Sequence, residues 1–465
     1  MATYWNDLQV LNNIIHDIKP PPKPCVYGLK ELDDIKESLD FFIDDYVKDN
    51  IKKFKDYTFE DELYNYLSSI IDDIFNHMLF DDLNIEELIK DSMNTYFWRN
   101  KNPRSYPKTF TNYHDYLSRR DKVSELLEYY KSLEQPDQKT DAWYEFRYGG
   151  LTASSIYKAF DSQANQNNLI YEKCKPLKKH TNSVNIDSAF HHGHLYEPLS
   201  TMIYEWNYDT TIGEFGCIKH KDYEFIRASP DGINIKPHNH LYGRMLEIKN
   251  PVSRVISGRP KKEYWVQMQI QMEVWELDEC DFLETSFKEF ESYDDYEKDA
   301  DDTFTHSHKA DGRKKGIIIM FNDGIQPVYE YMPLSIHNKK KCDEWVDNTI
   351  ENADKKLSWI KNIYWYLDVY SCVLVPRNKL WFKTIYPEIK ACWDTILKER
   401  ETGYDHRKPK KRVKKEVVKK NISPKSIIKN LNENNDLTLL NEKPKIENNV
   451  VVLKVRTQSF DQVNS

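Results

Sequence analysis

Glycine is scarce, at 13 of 465 residues. That excludes collagen-like and glycine-rich repeat architectures. The seven cysteines (Cys25, Cys174, Cys217, Cys280, Cys342, Cys372 and Cys392) include no CxxC pair. A cysteine-built zinc ribbon is thereby excluded, and a cysteine-ligated iron–sulfur cluster is disfavoured. An odd, dispersed set also fits a reducing compartment better than a secreted disulfide scaffold. No apolar run reaches the roughly 20 residues that span a bilayer. The first 19 residues, Met1 to Lys19, lack the basic-then-apolar layout of a secretory signal. The expectation is a soluble intracellular protein without a membrane segment.

What is present suits a core of considerable size. Hydrophobic residues make up 39% and aromatics 13%, with 31 tyrosines, so wholesale disorder is ruled out. The length allows two or three domains. The net charge of −8 hides an asymmetry: from Tyr404 to Ser465 there are 15 Lys and Arg against 7 Asp and Glu, whereas residues 1–403 carry 52 against 68. A wholly basic nucleic-acid coat is excluded; a local cationic groove or tail is not.

The composition divides the chain into four parts. Residues 1–28 end in Pro20, Pro21, Pro22 and Pro24, which read as a stiff extended linker. Residues 29–135 read as an acidic, α-helical accessory domain, with Leu39, Phe42 and Tyr46 and then Leu63, Leu67, Ile70, Ile71 and Ile74 at helical spacing. It holds no chemical motif. Residues 136–400 alternate helical stretches with β-like runs at Tyr223–Ala228, Arg244–Ile248, Phe282–Phe287 and Gly316–Phe321. This is the α/β pattern of a sheet covered by helices. Within it, the acidic stretch Ser292–Gly312 predicts a mobile surface loop, and Lys339 to Leu367 predicts helix. Residues 401–465 form a basic tail expected to be disordered. Its segment His406–Lys420 has nine Lys or Arg and one Glu, which suits phosphate binding by counterion release, nuclear import or a merely solvated tail.

The densest chemistry lies between Ser229 and Lys249, where SPDG is followed after a gap by LEIK. In a strand, Glu247 and Lys249 project from one face while Leu246 and Ile248 pack into the core. Asp231, at the end of a neighbouring strand, would point to the same spot. Two close carboxylates suit a hard cation, Mg²⁺ or Mn²⁺, which activates water and polarises a phosphoryl oxygen. The lysine can orient that water and offset developing charge. An exposed turn and an ion-paired edge strand would give the same residues with no catalysis.

Three further motifs surround that pair: DAWYEFRYGGLTAS from Asp141 to Ser154, HGHLYE from His192 to Glu197, and YWVQMQIQM from Tyr264 to Met272. In this order, the motifs from Asp141 to Phe290 resemble the lambda-type exonucleases, or YqaJ-like viral recombinases, of the PD-(D/E)XK nuclease superfamily. The resemblance implies a mixed central sheet flanked by helices. It implies metal ligation by Asp231, Glu247 and the Ile248 backbone carbonyl, with Glu197 assisting a second ion or the metal-bound water. It also implies Lys249 as the catalytic lysine, Gln269 at the reactive end, and a 5′-phosphate pocket of Arg147, Ser154 and Ser229. A guanidinium offers phosphate a bidentate fork, and Ser154 lies near an expected helix start. An ion-paired Arg147 and an N-capping Ser154 are the structural alternatives. Gln267, Gln269 and Gln271 cannot all face one way on a helix. His191, His192 and His194 are too closely spaced for the usual zinc pairing.

The resemblance implies a Mg²⁺-dependent (or Mn²⁺-dependent) DNA exonuclease with one or two ions, acting 5′ to 3′ on duplex ends in recombination, repair or end processing. A structure-specific or nicking endonuclease, and a catalytically idle DNA-binding scaffold, are the alternatives. It further implies a single-strand annealing protein as partner and a ring trimer, although the N-terminal region and the 292–312 insertion weigh against a ring. The long form resembles those of large DNA viruses, with the host cytoplasm, nucleus or virion as its location.

Overall fold

One helix, Lys262–Trp275, is buried along nearly all its length. Its sequence explains this: between Glu263 and Glu273 it carries no charge, and a helix apolar around its circumference belongs inside a fold. In the computed structural model, residues 29–75, 84–99, 103–109, 113–133, 135–136, 140–177, 188–299, 304–409, 445–447 and 450–452 are described. The proline linker and most of the basic tail lie outside them. Among the described residues no helix is long and apolar enough to cross a membrane.

The acidic N-terminal segment forms α1 (Leu29–Asp49), α2 (Phe59–Phe75) and α3 (Ile85–Arg99). Leu39, Ile43 and Val47 on α1 and Leu63, Leu67 and Ile71 on α2 fall at helical spacing and are buried. They share one core with later residues such as Trp265, Trp381 and Ile396. Phe54, in the turn between α1 and α2, packs 5.9 Å from Trp265. Arg104, 3% exposed, donates to Lys55 O at 2.8 Å and Pro260 O at 2.5 Å, so it stitches the helices to the later chain. The backbone amides of Tyr106 and Thr109 donate to Leu374 O and Cys372 O, both at 2.8 Å.

After α4 (Tyr113–Ser132) and α5 (Asp141–Tyr148) come β1 (Leu151–Thr152), α6 (Ala153–Ile156), α7 (Gln163–Cys174) and α8 (Ala189–Tyr208). Strands β2 (Ile212–Gly213), β3 (Ile218–Lys219), β4 (Ile226–Ala228), β5 (Gly232–Asn234) and β6 (Met245–Lys249) follow, then α9 (Lys262–Trp275) and β7 (Glu279–Glu289). The remainder is α10 (Tyr293–Lys298), β8 (His306–Ser307), β9 (Arg313–Asn322), β10 (Pro327–Tyr331), α11 (Lys339–Glu351), β11 (Ser358–Pro376) and α12 (Lys379–Thr402). The main sheet runs β10-β9-β11-β7-β6-β5-β2, with β8 on β9. Only β6 and β7 are parallel neighbours in it, and α9 is their crossover. A small sheet, β1-β4-β3, lies beside it, with β1 and β4 parallel. The fold is therefore α/β, a mixed sheet between helices. Beyond Lys408, 445–447 and 450–452 pair antiparallel.

Two expectations are corrected. The helix predicted to reach Leu367 stops at Glu351, and a 19-residue strand begins at Ser358. Ile363, Trp365 and Leu367 pack on one side and Tyr364 and Tyr366 on the other. Because both faces are apolar, the period of two is masked in the sequence. The acidic 292–312 insertion is also built around a core. Tyr296 and Phe304 are buried, and the Lys315 ammonium, 1% exposed, donates to Tyr296 O and Asp299 O.

Candidate active site

The β5–β6 register pairs Gly232 with Leu246, which brings Asp231, one residue earlier, alongside Glu247. Gly232 permits the close approach of β2: a Cβ there would lie 2.2 Å from Ile212 Cγ2. Asp231 Oδ2 accepts the Ile248 backbone N–H at 2.7 Å, so the loop carboxylate is fixed to the strand. Leu246 and Ile248 pack with Tyr204 and Leu283, and strand alternation turns Glu247 to the α9 face. Glu247 is fully buried. Its Oε1 pairs with the Lys249 ammonium, and its Oε2 accepts from Gln271 Nε2 at 2.7 Å. The Lys249 side chain stays 25% exposed and lies 5.4 Å over the Tyr264 ring. Asn250 fixes the end of β6 by donating to Ser200 Oγ at 2.7 Å and Thr285 Oγ1 at 2.6 Å.

Charge is crowded here. Burial pushes the Glu247 carboxyl up to about 7, and the nearby Asp231 adds to the effect. The Glu197 carboxyl on α8 is also raised, through desolvation and then the negative charge of Asp231. Burial works against the Lys249 charge, but Glu247 and Asp231 more than offset it, so the ammonium is held well above its ordinary range. Asp231, Glu247, Lys249 and Glu197 thus converge electrostatically.

Gln269 does not join them. Its amide donates to Pro376 O at 2.9 Å and accepts the Asn378 N–H at 2.7 Å, so it anchors the start of α12. Residues two apart on a helix point to nearly opposite sides, and the glutamine that reaches the carboxylates is Gln271. Gln267, four residues before it, shares that face. The spacing shows that Gln269 cannot act together with Gln267 and Gln271, but not which of the two faces meets the carboxylates. The histidines do not form a site. His191 Nε2 lies 2.6 Å from the Tyr329 hydroxyl, and His192 packs on Tyr196.

Of the expected phosphate pocket, Ser154 and Ser229 follow neighbouring strands, and Arg147 lies in the last turn of α5. Thr152 pairs with Arg227 across β1 and β4, and Ser154 and Ser229 each follow two residues later. Ser154 is exposed, and Thr152 occupies the N-cap position of α6. Ser229 Oγ lies 3.5 Å from Phe215 O. Arg147 has no ion pair among the described residues. Its guanidinium packs 4.5 Å over Trp143 and lies close to the Cys217 sulfur. No direct hydrogen bond joins Arg147 to either serine among the described residues.

Behind the site Arg244, fully buried, donates to Glu279 at 2.9 Å and Asp281 at 3.3 Å, and Asp281 accepts from Tyr204 OH at 2.7 Å. This network fixes the starts of β6 and β7. The sequence did not disclose it, because Arg244 lies 35 residues before Glu279 and the two acids are brought to it only by the pairing of β6 with β7.

Similar proteins are known. An uncharacterised protein, R354, of Acanthamoeba polyphaga mimivirus is 30% identical over 327 residues. The match covers 63% of this chain and 57%, little more than half, of that relative. The crystal structure of an alkaline exonuclease, LHK-Exo, from Laribacter hongkongensis aligns with a TM-score of 0.34 at 19% identity, covering 57% of this chain and 95% of the other. LHK-Exo in complex with dAMP aligns at 0.33 and 18%, with the same coverage. Residues 142–278 match the YqaJ-like viral recombinase domain, the stretch that holds most of the motifs between Asp141 and Phe290.

Proposed function

We propose that the chain is a divalent-metal-dependent deoxyribonuclease that removes nucleotides from the 5′ ends of duplex DNA. The observation that carries this reading is the tie between Asp231 and the Ile248 backbone, directly beside the Glu247–Lys249 pair. An exposed turn and an edge strand would not bury Glu247 completely or surround it with two further carboxylates. The match of residues 142–278 to the YqaJ-like viral recombinase domain is consistent with a DNA substrate.

The donor set fits a hard cation. Glu197, Asp231 and Glu247 face one ammonium, Lys249. Among the described residues no three His, Cys, Asp or Glu side chains close on one point. Asp231 and Glu247 would therefore hold Mg²⁺ or Mn²⁺ with the Ile248 carbonyl and water, and Glu197 would act from the rim. When bound, such an ion polarises a phosphoryl oxygen and lowers the pKa of water. Lys249 orients the attacking water and offsets charge on the phosphoryl oxygens. Gln271 holds the Glu247 carboxylate in its rotamer, and Asn250 keeps the end of β6 in place. Water adds to phosphorus and the P–O3′ bond breaks. The released nucleotide keeps a 3′-hydroxyl, and the shortened strand again ends in a 5′-phosphate.

The test is purified protein with Mg²⁺ on end-labelled linear duplex and on closed circles. Linear DNA should be shortened from its 5′ ends and circles should survive. Comparable loss of circles would overturn the end-dependent reading.

A further inference from the structure

The far end of the main sheet carries large side chains that the fold leaves bare. Strand β7 ends at Glu289, opposite Trp365, so Ser358–Ile363 of β11 pair with β9 alone. With β10 they form a ribbon that is packed on both faces. Ile318, Met320 and Ile363 lie against Leu195 and Leu199 of α8, and Ile317, Ile319 and Phe321 lie against Cys342 and Val346 of α11. At the tip, Trp359 is 50%, Ile360 46% and Ile325 70% exposed. A strand normally sends consecutive side chains to opposite faces. The register shift between Trp359 and Lys361 breaks that alternation, and Trp359, Ile360 and Lys361 are all open to solvent. Bulges re-aim side chains in this way, often beside functional sites.

The tip is held in place. Trp359 Nε1 donates to Asn362 Oδ1 at 3.0 Å, which fixes the indole while half of the residue stays in solvent. Lys355, Lys356 and Lys361 flank it in the chain, are exposed, and have no ion pair among the described residues. The acids of the two adjoining turns are occupied by their own backbone. Asp323 accepts the amides of Ile325 at 2.8 Å and Gln326 at 2.7 Å, and Asp354 accepts that of Lys356 at 2.9 Å. An open aromatic face among unpaired ammonium groups suits a single nucleic-acid strand, whose bases stack while its phosphates meet the cations. A duplex keeps its base faces covered, and an apolar protein surface would leave the lysines desolvated without partners.

The position relative to the candidate site agrees. Tyr331 OH donates to Leu195 O on α8 at 2.7 Å, and burial, Tyr329 and Glu197 hold its phenol above the ordinary range. Trp359 and Val328 are both level with Phe321. Trp359 therefore lies three residues and two strands from Tyr331, roughly 14 Å at about 3.3 Å per residue and about 4.8 Å between strands. Lys249 is level with Glu284, and Glu284 with Ser371. Trp359 comes twelve residues before Ser371, so it lies no more than about 40 Å along the strand from the level of the catalytic lysine. At about 3.4 Å per nucleotide, about twelve nucleotides cover that path.

We propose that Trp359 and Ile360, with Ile325 on the adjoining hairpin and Lys355, Lys356 and Lys361, form a stacking platform for single-stranded DNA. It takes up the strand left unpaired as the 5′ end of its complement is removed. This rests on the nuclease reading above. Holding that strand keeps the protein on its substrate between cuts and keeps the two strands from pairing again.

Two measurements on the full chain test it. In the first, binding of a labelled oligothymidylate and of an abasic strand of the same length is followed by fluorescence anisotropy without divalent ions. Trp359→Ala should weaken the oligothymidylate about fivefold to a hundredfold, the effect of losing one stacked base, and leave the abasic strand unchanged. Trp359→Phe, which keeps a ring, should recover most of the loss. Replacing Lys355, Lys356 and Lys361 together by Gln should weaken both strands and reduce the salt slope by up to about 2, at about 0.7 per phosphate contact. An unchanged affinity for oligothymidylate in Trp359→Ala, or an equal loss on the abasic strand, would overturn the platform. So would a change of oligomeric state in sedimentation with unchanged affinity, since the patch would then join copies of the chain. In the second, Mg²⁺ and excess trap DNA are added to a long duplex, and the length removed per encounter should be shorter in Trp359→Ala. Equal lengths beside weakened single-strand binding would sink the assignment to the retained strand. If the wild type shortens no duplex, the nuclease reading fails, and the two binding curves still decide on the platform. Should Trp359→Ala not fold, the lysine variant carries the test, and an unchanged salt slope counts against it.

Discussion

Gln271 and Glu247 form one unit with the turn that carries Asp231. Gln271 Nε2 donates to Glu247 Oε2 at 2.7 Å and to Ser229 O at 3.0 Å. One helical side chain therefore fixes the two segments that bear the carboxylates. Lys249 holds the other oxygen of Glu247, so the rotamer of this buried acid is set from both sides.

The two neighbouring glutamines should separate chemistry from stability. Gln271→Ala should lower the single-turnover rate about tenfold to a hundredfold, the effect of losing a hydrogen bond to a buried charge. Gln269→Ala leaves Pro376 O and the Asn378 N–H without their partner and should cost about 1–3 kcal/mol of stability, with the rate of the folded fraction preserved. Cleavage rates and denaturation curves on both variants decide. If Gln269→Ala slows the folded enzyme and Gln271→Ala does not, the assignment is reversed.

Removing a carboxylate should stop cleavage and spare DNA binding. Asp231→Ala and Glu247→Ala are each expected to abolish hydrolysis, while affinity for duplex in Ca²⁺ stays within a few-fold of wild type. Phosphate affinity comes mainly from cationic and amide groups. Lys249→Ala should lose turnover but keep the rise in unfolding midpoint that Mg²⁺ gives the wild type. Strong residual cleavage in any of the three would show that the chemistry lies elsewhere.

How far the sequence revealed this arrangement depended on whether the residues were local. Asp231, Glu247 and Lys249 were legible because a strand's period of two is visible over three residues. The β4, β6, β7 and β9 runs were legible as short stretches rich in β-branched and aromatic residues. Strand β11 was not, because both its faces are buried and alternation disappears into a continuous apolar run. Gln271 was obscured among three glutamines whose direction only the packing of α9 resolves. The links from Lys173 to Arg147 O and from Arg227 to Gly149 O were invisible, since they join α7 and β4 to α5 and its C-cap through backbone carbonyls rather than by a motif.

Lys173 should leave a mark on stability as pH changes. Its pKa is depressed in the fold to about 7 from an ordinary value near 10.5, chiefly by burial and then by the charges of Arg147, Arg400 and Arg227. Between those values the unfolded chain binds the proton and the folded chain does not, so stability rises with pH across that window. Below about 7 the full cost is present. The stability of wild type minus that of Lys173→Met should therefore increase from pH 7 to 10. A flat difference would place Lys173 in ordinary solvent contact.

The basic tail can be tested only if it is cut in the right place. Arg407 clamps Glu399 through two contacts of 2.6 Å and also donates to Asn167, so it belongs to the packed unit that ends at Lys408. A truncation starting at Tyr404 would damage α12 and confuse loss of fold with loss of DNA contact. Deletion of residues 409–465 avoids this. It removes most of the cations of the His406–Lys420 segment, so fewer counterions are released on binding and the plot of log affinity against log salt should flatten. The single-turnover rate at saturating DNA should not change, because no carboxylate or lysine of the candidate site is lost. Binding isotherms between low and physiological salt, on wild type and the truncated chain, measure the slope directly. An unchanged slope would mean that these cations never meet the DNA backbone. A fall in the saturated rate with an unchanged slope would instead give the tail a role in the chemical step.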